Sequence, residues 1–212
     1  MKIPLQFTCP SCRTPVIKRV HLDATSLDWI CEKCGAAQVI VFDLDLTVGW
    51  LMLARSWYEL SVEKDNSMAI VLAATAFDSE LSRLFCKWTQ IKGRGPTLPF
   101  SLEDCEKKLR AFRTIAVKIE GVSRLLYPGG IEAFVCSSPV WSKEINDDFP
   151  SLHIGSLAKD FQETVFWPRN KVLHAGYAQH PEDEASKCYS VADIGLRILK
   201  DMDRAKRLAE RL

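Results

Sequence analysis

The chain has 212 residues, 47% of them hydrophobic, which excludes a disordered polymer and supplies one main core plus a small accessory unit. Its formal net charge is +1, so no global basic field points to nucleic acid, and any such partner has to be argued from local groups. The start, MKIPLQFTCP, has no apolar signal core, and apolar runs such as AIVLAATAF meet Asp78 and Glu80 well short of a membrane span. A cytoplasmic protein without a membrane partner is the expectation, and eight cysteines then suggest metal ligands or free thiols over disulfides.

The first unit is read from Cys9-Pro-Ser-Cys12, eighteen intervening residues, and Cys31-Glu-Lys-Cys34-Gly35. Two cysteines two residues apart can bend round one ion, and two such turns supply four thiolates in a tetrahedron. Gly35 permits the conformation that closes the second turn. Residues 16–20 and 38–42 have strand character, so residues 1–46 are expected to form a zinc ribbon with Cys9, Cys12, Cys31 and Cys34 as ligands. The alternative is two redox pairs, but these usually open a helix in a βαβ unit, and none is visible. A closed four-thiolate site leaves no position for water, so zinc here is structural. Acidic residues (Asp23, Asp28, Glu32, Asp43, Asp45) balance the basic ones, so the ribbon's charge does not argue for nucleic acid. Cys86, Cys105, Cys136 and Cys188 stand singly, and the first two are read as small core residues.

Residues 47–66 are expected to be a connecting helix or linker, and residues 67–212 a helical bundle. Ile70, Ala74, Phe77, Leu81, Leu84 and Trp88 make one apolar stripe, stopped by Gly93, Gly95 and Pro96. Phe100 and Ser101 with Asp104 resemble a staple and capping box before a second stripe, Leu102, Cys105, Leu109, Phe112, Ala116 and Ile119. Its outer face carries Arg110, Arg113 and Arg124. This is either a solvated helix face or a phosphate-facing groove, in which Arg110 and Arg113 are the substrate-binding candidates. Tyr127-Pro128-Gly129-Gly130 breaks the chain, and residues 131–152 read as a long loop with short helical pieces. A third helix is expected over 156–166. After a polar loop at 179–186, Ser190 with Asp193 is expected to cap a final helix with the stripe Val191, Ile194, Ile198, Met202, Ala205 and Leu212. The fold class is therefore mainly α, with a small N-terminal β unit.

Between the third and last helices stands WPRNKVLHAG, residues 167–176. Pro168 suits a first helical turn, which would set Arg169 and Asn170 at a helix N-terminus, a setting that favours anions. Asn170 and His174 share a face at four-residue spacing, and arginine's long stem lets Arg169 join them. A guanidinium holds phosphate by paired bonds, an imidazole moves a proton near neutral pH, and a carboxamide orients either. Lys171 is a further candidate for the substrate phosphate. The bland reading pairs Arg169 with Asp160 or Glu163 and leaves His174 a satisfied structural residue. His21, His153 and His180 read as loop or surface residues.

Arg169-Asn170-Lys171-Val172-Leu173-His174 resembles the Arg-x(4–6)-His motif of the HEPN superfamily, and its place before the last long helix of an α-bundle fits that family too. The resemblance covers residues 67–212. It implies a metal-independent endoribonuclease, often a toxin or antiviral defence effector, that works on RNA as a homodimer and answers to a cognate antitoxin or regulatory protein. It implies Arg169, Asn170 and His174 as the catalytic set. Helical phase, apart from the resemblance, offers Glu80 either as a carboxylate supporting Arg169 or as a partner in a surface ion pair. The alternative within the same resemblance is a non-catalytic module that binds nucleotide, RNA or protein, with the ribbon as adaptor. One branch of the family has a tyrosine two residues after the histidine; here that place holds Gly176, and Tyr177 comes one later.

Overall fold

The structure, a computed structural model, describes residues 2–9, 11–21, 26–41, 47–92, 102–175 and 180–210. Strand β1 (Lys2–Thr8) pairs antiparallel with β2 (Pro15–His21), and β3 (Ser26–Ile30) with β4 (Ala37–Val41), as two separate two-stranded sheets. β2 and β4 match the expected strands, whereas β1 and β3 are additions. Pro4 disguises β1, since proline is confined to sheet edges, and in a two-stranded sheet every strand is an edge.

Each cysteine pair sits in the turn of one hairpin, and the two turns share one hydrogen-bond pattern. Cys9 N donates to Thr14 O (2.9 Å) and Arg13 N to Cys9 O (2.8 Å); Cys31 N donates to Ala36 O (3.0 Å) and Gly35 N to Cys31 O (2.8 Å). The turn requires a left-handed residue, which is Gly35 in one hairpin (φ 69°) and Arg13 in the other (φ 56°). A side chain in that region costs about 1–2 kcal/mol, partly offset by the unfolded-chain entropy of glycine. Arg13→Gly is therefore expected to stabilise the ribbon by about 0.5–1 kcal/mol, read as greater resistance of the metal-loaded protein to a chelator. A loss of resistance would contradict this account of the turn.

The bundle begins with α1 (Val48–Tyr58), which continues through a π turn (Glu59–Glu63) and ends where Lys64 turns left-handed, φ 58°. Leu53 and Leu60 enter the same core as the later helices, and the Ser56 hydroxyl donates to Ala69 O at 2.6 Å, so this expected connector is a packed member of the bundle. Helix α2 (Asn66–Lys92) buries its whole expected stripe, from Ile70 to Trp88. It lies against α9 (Glu182–Ala209), where Val191, Ile194, Ile198 and Met202 are buried. Gly195 is the point of closest approach: a Cβ there would meet Phe77 Cζ at 2.8 Å and Phe161 Cε1 at 3.1 Å. Gly195→Ala is thus expected to destabilise the bundle by about 1–3 kcal/mol through overpacking, read as a lower unfolding midpoint. An unchanged midpoint would show that the two rings can give way.

Four expectations are corrected. The second stripe is not one helix: α3 (Leu102–Arg110) and α4 (Ile115–Leu126) are separated by a break, with Thr114 extended and accepting from Val117 N at 3.3 Å as the cap of α4. In the break, the Phe112 ring packs edge-on to Phe85, centroids 5.6 Å apart. The long loop is largely two helices, α5 (Gly130–Ser137) and α6 (Pro139–Asp148), the latter opened by Ser138 and by Pro139 at its first position. The last helix starts at Glu182, so Ser190 is interior and its hydroxyl donates to Ser186 O at 2.9 Å, while Asp193 accepts from Arg197 Nε at 3.0 Å.

The fourth concerns Pro168, which does not begin a helix. Helix α7 (Leu157–Phe161), a π turn (Gln162–Phe166) and α8 (Trp167–Ala175) follow one another with helical backbone at both joins. Trp167 N donates to Gln162 O, five residues back. That wider turn makes room for a proline ring that would clash with the carbonyl four residues earlier in an ordinary helix. The Gly93–Pro96 stop, the Phe100–Ser101 staple and cap, Gly176, Tyr177 and Leu212 lie outside the described residues. Among the described residues, no helix is long and apolar enough to cross a membrane.

Candidate functional site

Two places carry chemistry. In the ribbon, Sγ of Cys9, Cys12, Cys31 and Cys34 all lie within 4.8 Å of one another. Cys12 and Cys31 stand 3.7 Å apart and Cys9 and Cys34 3.8 Å. Four sulfurs at the usual Zn–S bond length stand about 3.8 Å apart in a tetrahedron, so this donor set fits one zinc ion. The Thr14 side chain and then its backbone bring the Cys12 thiol down to about 6, and the hydroxyl stands 3.2 Å from its sulfur. A backbone hydrogen bond from Cys34 lowers Cys31 as well. Both shifts favour the thiolate that a metal needs. Cys34 goes the other way, up to about 11, where a backbone hydrogen bond from Ala36 is outweighed by burial and the three neighbouring thiols. Trp29 packs with Cys9 and Cys31 as a small core of their own.

The second place is the solvent side of α8. Pro168 and Val172 are buried and fix the helix against the bundle, while Trp167, Asn170, Lys171, Leu173 and His174 are exposed and Arg169 is half-buried. Arg169 Nη1 lies 3.4 Å from Asn170 Oδ1. Arg169 and Asn170 line a cleft of about 420 Å³ between α2, the start of α4, the π turn and α8. Thr75, Asp78, Arg113, Gln162 and Trp167 complete much of its wall. The break before α4 is what brings Arg113 here. The Gln162 side chain ties two walls together, accepting from Ala116 N at 3.2 Å.

The cleft is locally basic although the chain is nearly neutral. Among the described residues neither Arg113 nor Arg169 has a carboxylate partner. The carboxylate in the wall, Asp78, is held by Lys118 Nζ at 2.5 Å, and Lys118 also donates to Ser82 Oγ at 2.8 Å. Asp160 and Glu163, the sequence candidates for pairing Arg169, are occupied elsewhere. Asp160 takes His153 N at 2.6 Å and His153 Nδ1 at 3.1 Å, and Glu163 faces Lys159 at 3.7 Å.

The other candidates divide. His174 is exposed on the Asn170 side of α8, makes no hydrogen bond among the described residues and is not part of the cleft wall. Lys171 reaches Glu184 at 3.3 Å, and Arg110 faces Glu106 at 3.7 Å in solvent. Glu80 does not support Arg169. It is buried and accepts from Thr47 Oγ1 (2.7 Å), Arg83 Nε (3.0 Å) and Arg83 Nη2 (2.6 Å). The start of α1 lies so close over α2 that a Cβ on Gly49 would stand 2.8 Å from Ala76 O, and this approach delivers Thr47 to Glu80. His180 lies in the loop before α9, as expected, but its side chain is only 9% exposed and Nδ1 lies 2.8 Å from Glu184, whose carboxyl is lowered chiefly by that contact. Burial pushes the Cys188 thiol up to about 12, which leaves it protonated and inert.

Trp167, Gln162 and Thr75 were not read as site residues from the sequence. Trp167 sits at the head of the motif, but nothing in its spacing separates an exposed ring from a core one. Comparison with protein-family models, curated proteins and solved structures finds no match to this chain.

Proposed function

We propose that the protein is a HEPN-type, metal-independent endoribonuclease whose working surface is the exposed face of α8 with its cleft. The observation that carries this is the meeting of Arg113, Arg169 and Asn170 at one cleft where, among the described residues, neither guanidinium pairs with a carboxylate and the wall's Asp78 is held by Lys118. The RNA 2′-hydroxyl attacks the adjacent phosphate, the P–O5′ bond breaks, and a 2′,3′-cyclic phosphate and a 5′-hydroxyl result. Arg169 binds the phosphate and stabilises the charge that develops on it. His174 transfers the proton, and Asn170 orients the phosphate or the imidazole. The active form is a homodimer with two α8 faces opposed, for which Leu173, exposed beside His174, offers an apolar contact. The ribbon holds one structural zinc through Cys9, Cys12, Cys31 and Cys34. A toxin or defence effector restrained by a cognate antitoxin or regulatory protein is the setting that this activity suits.

End-group analysis of RNA incubated with the purified protein and no added divalent ion tests the reaction. Fragments with cyclic phosphate and 5′-hydroxyl ends are expected; 3′-hydroxyl and 5′-phosphate ends would rule this chemistry out. A second reading, a module that binds nucleotide, RNA or a partner protein without cleavage, is favoured by one observation: His174 stands off the cleft wall. Tight RNA binding with no fragments supports that reading.

A further inference from the structure

We infer that the cleft seats one nucleotide of a single RNA strand within one protomer, its phosphate between Arg113 and Arg169 and its base against the Trp167 ring. This deepens the RNA reading above and rests on it for the choice of polymer. The motif supplies a group for the phosphate but no group for a base, and the structure supplies one. Trp167 opens α8 one residue beyond the π turn, is 53% exposed and forms part of the same wall as Arg113 and Arg169. An exposed indole beside guanidiniums that, among the described residues, have no carboxylate partner is the pairing that single-strand binders use: every base has a face to stack, and the phosphates follow the cations.

Size and charge agree. A cleft of about 420 Å³ falls within the range of small-ligand pockets, so it takes one nucleotide and not a duplex. Asp78 would repel a phosphate, but Lys118 already neutralises it. The first turn of α4, which begins beside Arg113, adds partial positive charge to the same wall. Arg113, Trp167 and Arg169, the three groups assigned to the nucleotide, come from the same chain.

Anisotropy titration of a labelled 2′-O-methyl RNA decamer, which cannot be cleaved by 2′-hydroxyl attack, tests this apart from the ribonuclease reading. Adenosine 5′-monophosphate serves as the free-nucleotide arm. Wild type is expected to bind the decamer. Trp167→Ala and Arg113→Gln are each expected to weaken binding at least about fivefold. Arg124→Gln removes the same charge from α4 but lies outside the cleft wall, beside Glu120 at 3.6 Å, and is expected to stay within about twofold of wild type. Equal losses in Arg113→Gln and Arg124→Gln would reduce the effect to general charge attraction and overturn the inference. So would undiminished binding by Trp167→Ala, or binding of the monophosphate without the decamer. RNA cleavage with decamer binding indifferent to Trp167 and Arg113 removes the inference alone. Site-dependent decamer binding without RNA cleavage removes the ribonuclease reading and leaves the inference standing.

Discussion

His174→Ala is expected to lower the rate of RNA cleavage by about 10²–10⁴-fold, the usual loss when a positioned general acid or base is removed. Arg169→Ala is expected to cost about 10²–10³-fold, the scale set by removing one preorganised donor from a developing negative charge. Arg169→Lys keeps the charge but not the two-pronged donor, so it is expected to recover only part of the loss. The fold predicts that these losses come without unfolding. His174 is exposed and Arg169 half-exposed, and α8 is held by the buried Pro168 and Val172. Each variant is therefore expected to keep its unfolding free energy within about 0.5 kcal/mol of wild type. Cleavage by His174→Ala at the wild-type rate would remove the histidine from the reaction.

Metal removal is expected to have the largest effect on structure, and to have it locally. Structural zinc sites in small units contribute roughly 10–16 kcal/mol of apparent binding free energy, which is folding free energy when no other core exists. Among the described residues, the ribbon's own core is Cys9, Trp29 and Cys31, with Cys12 and Val16 against them, and none of these five belongs to the bundle core. One zinc per chain is expected by elemental analysis. Cys31→Ser, or prolonged treatment with a strong chelator, is expected to abolish the protected amides of β2 and β4 in hydrogen exchange. The helical circular dichroism of the bundle is expected to remain. Loss of helix and ribbon together would show that the two units fold as one, and protein free of zinc with an intact ribbon would show that the four thiols need no metal.

Much of this architecture was legible in the sequence because the signals were short-range. The two CxxC turns need only local spacing, and the α2 and α9 stripes need only period. The α6 start was missed: Ser138 caps it and Pro139 takes its first position, and the run of breakers before them favoured a loop. The failures came from contacts between elements. Pro168 carries a genuine helix-start signal, and only the π turn beneath it, packed under α4 through Gln162, lets the helix run through. The break before α4 turns Arg113 from an outer-face residue into a cleft residue, and an unbroken period concealed it. Glu80 had the right helical phase for the motif, but α1 crosses α2 at Gly49 and claims it through Thr47. Of the motif itself, Arg169 and Asn170 share the cleft, while His174 lies beyond its wall on the same exposed face. The proposed homodimer assigns that face a second copy.

The central claim, attack by the substrate's own 2′-hydroxyl without a catalytic metal, is tested most directly by comparing two strands of one sequence. One is RNA and the other fully 2′-O-methylated, each incubated briefly with zinc-loaded protein in EDTA. The account predicts that the RNA is cut and the methylated strand stays intact. Cleavage of both strands, or of neither, would contradict it.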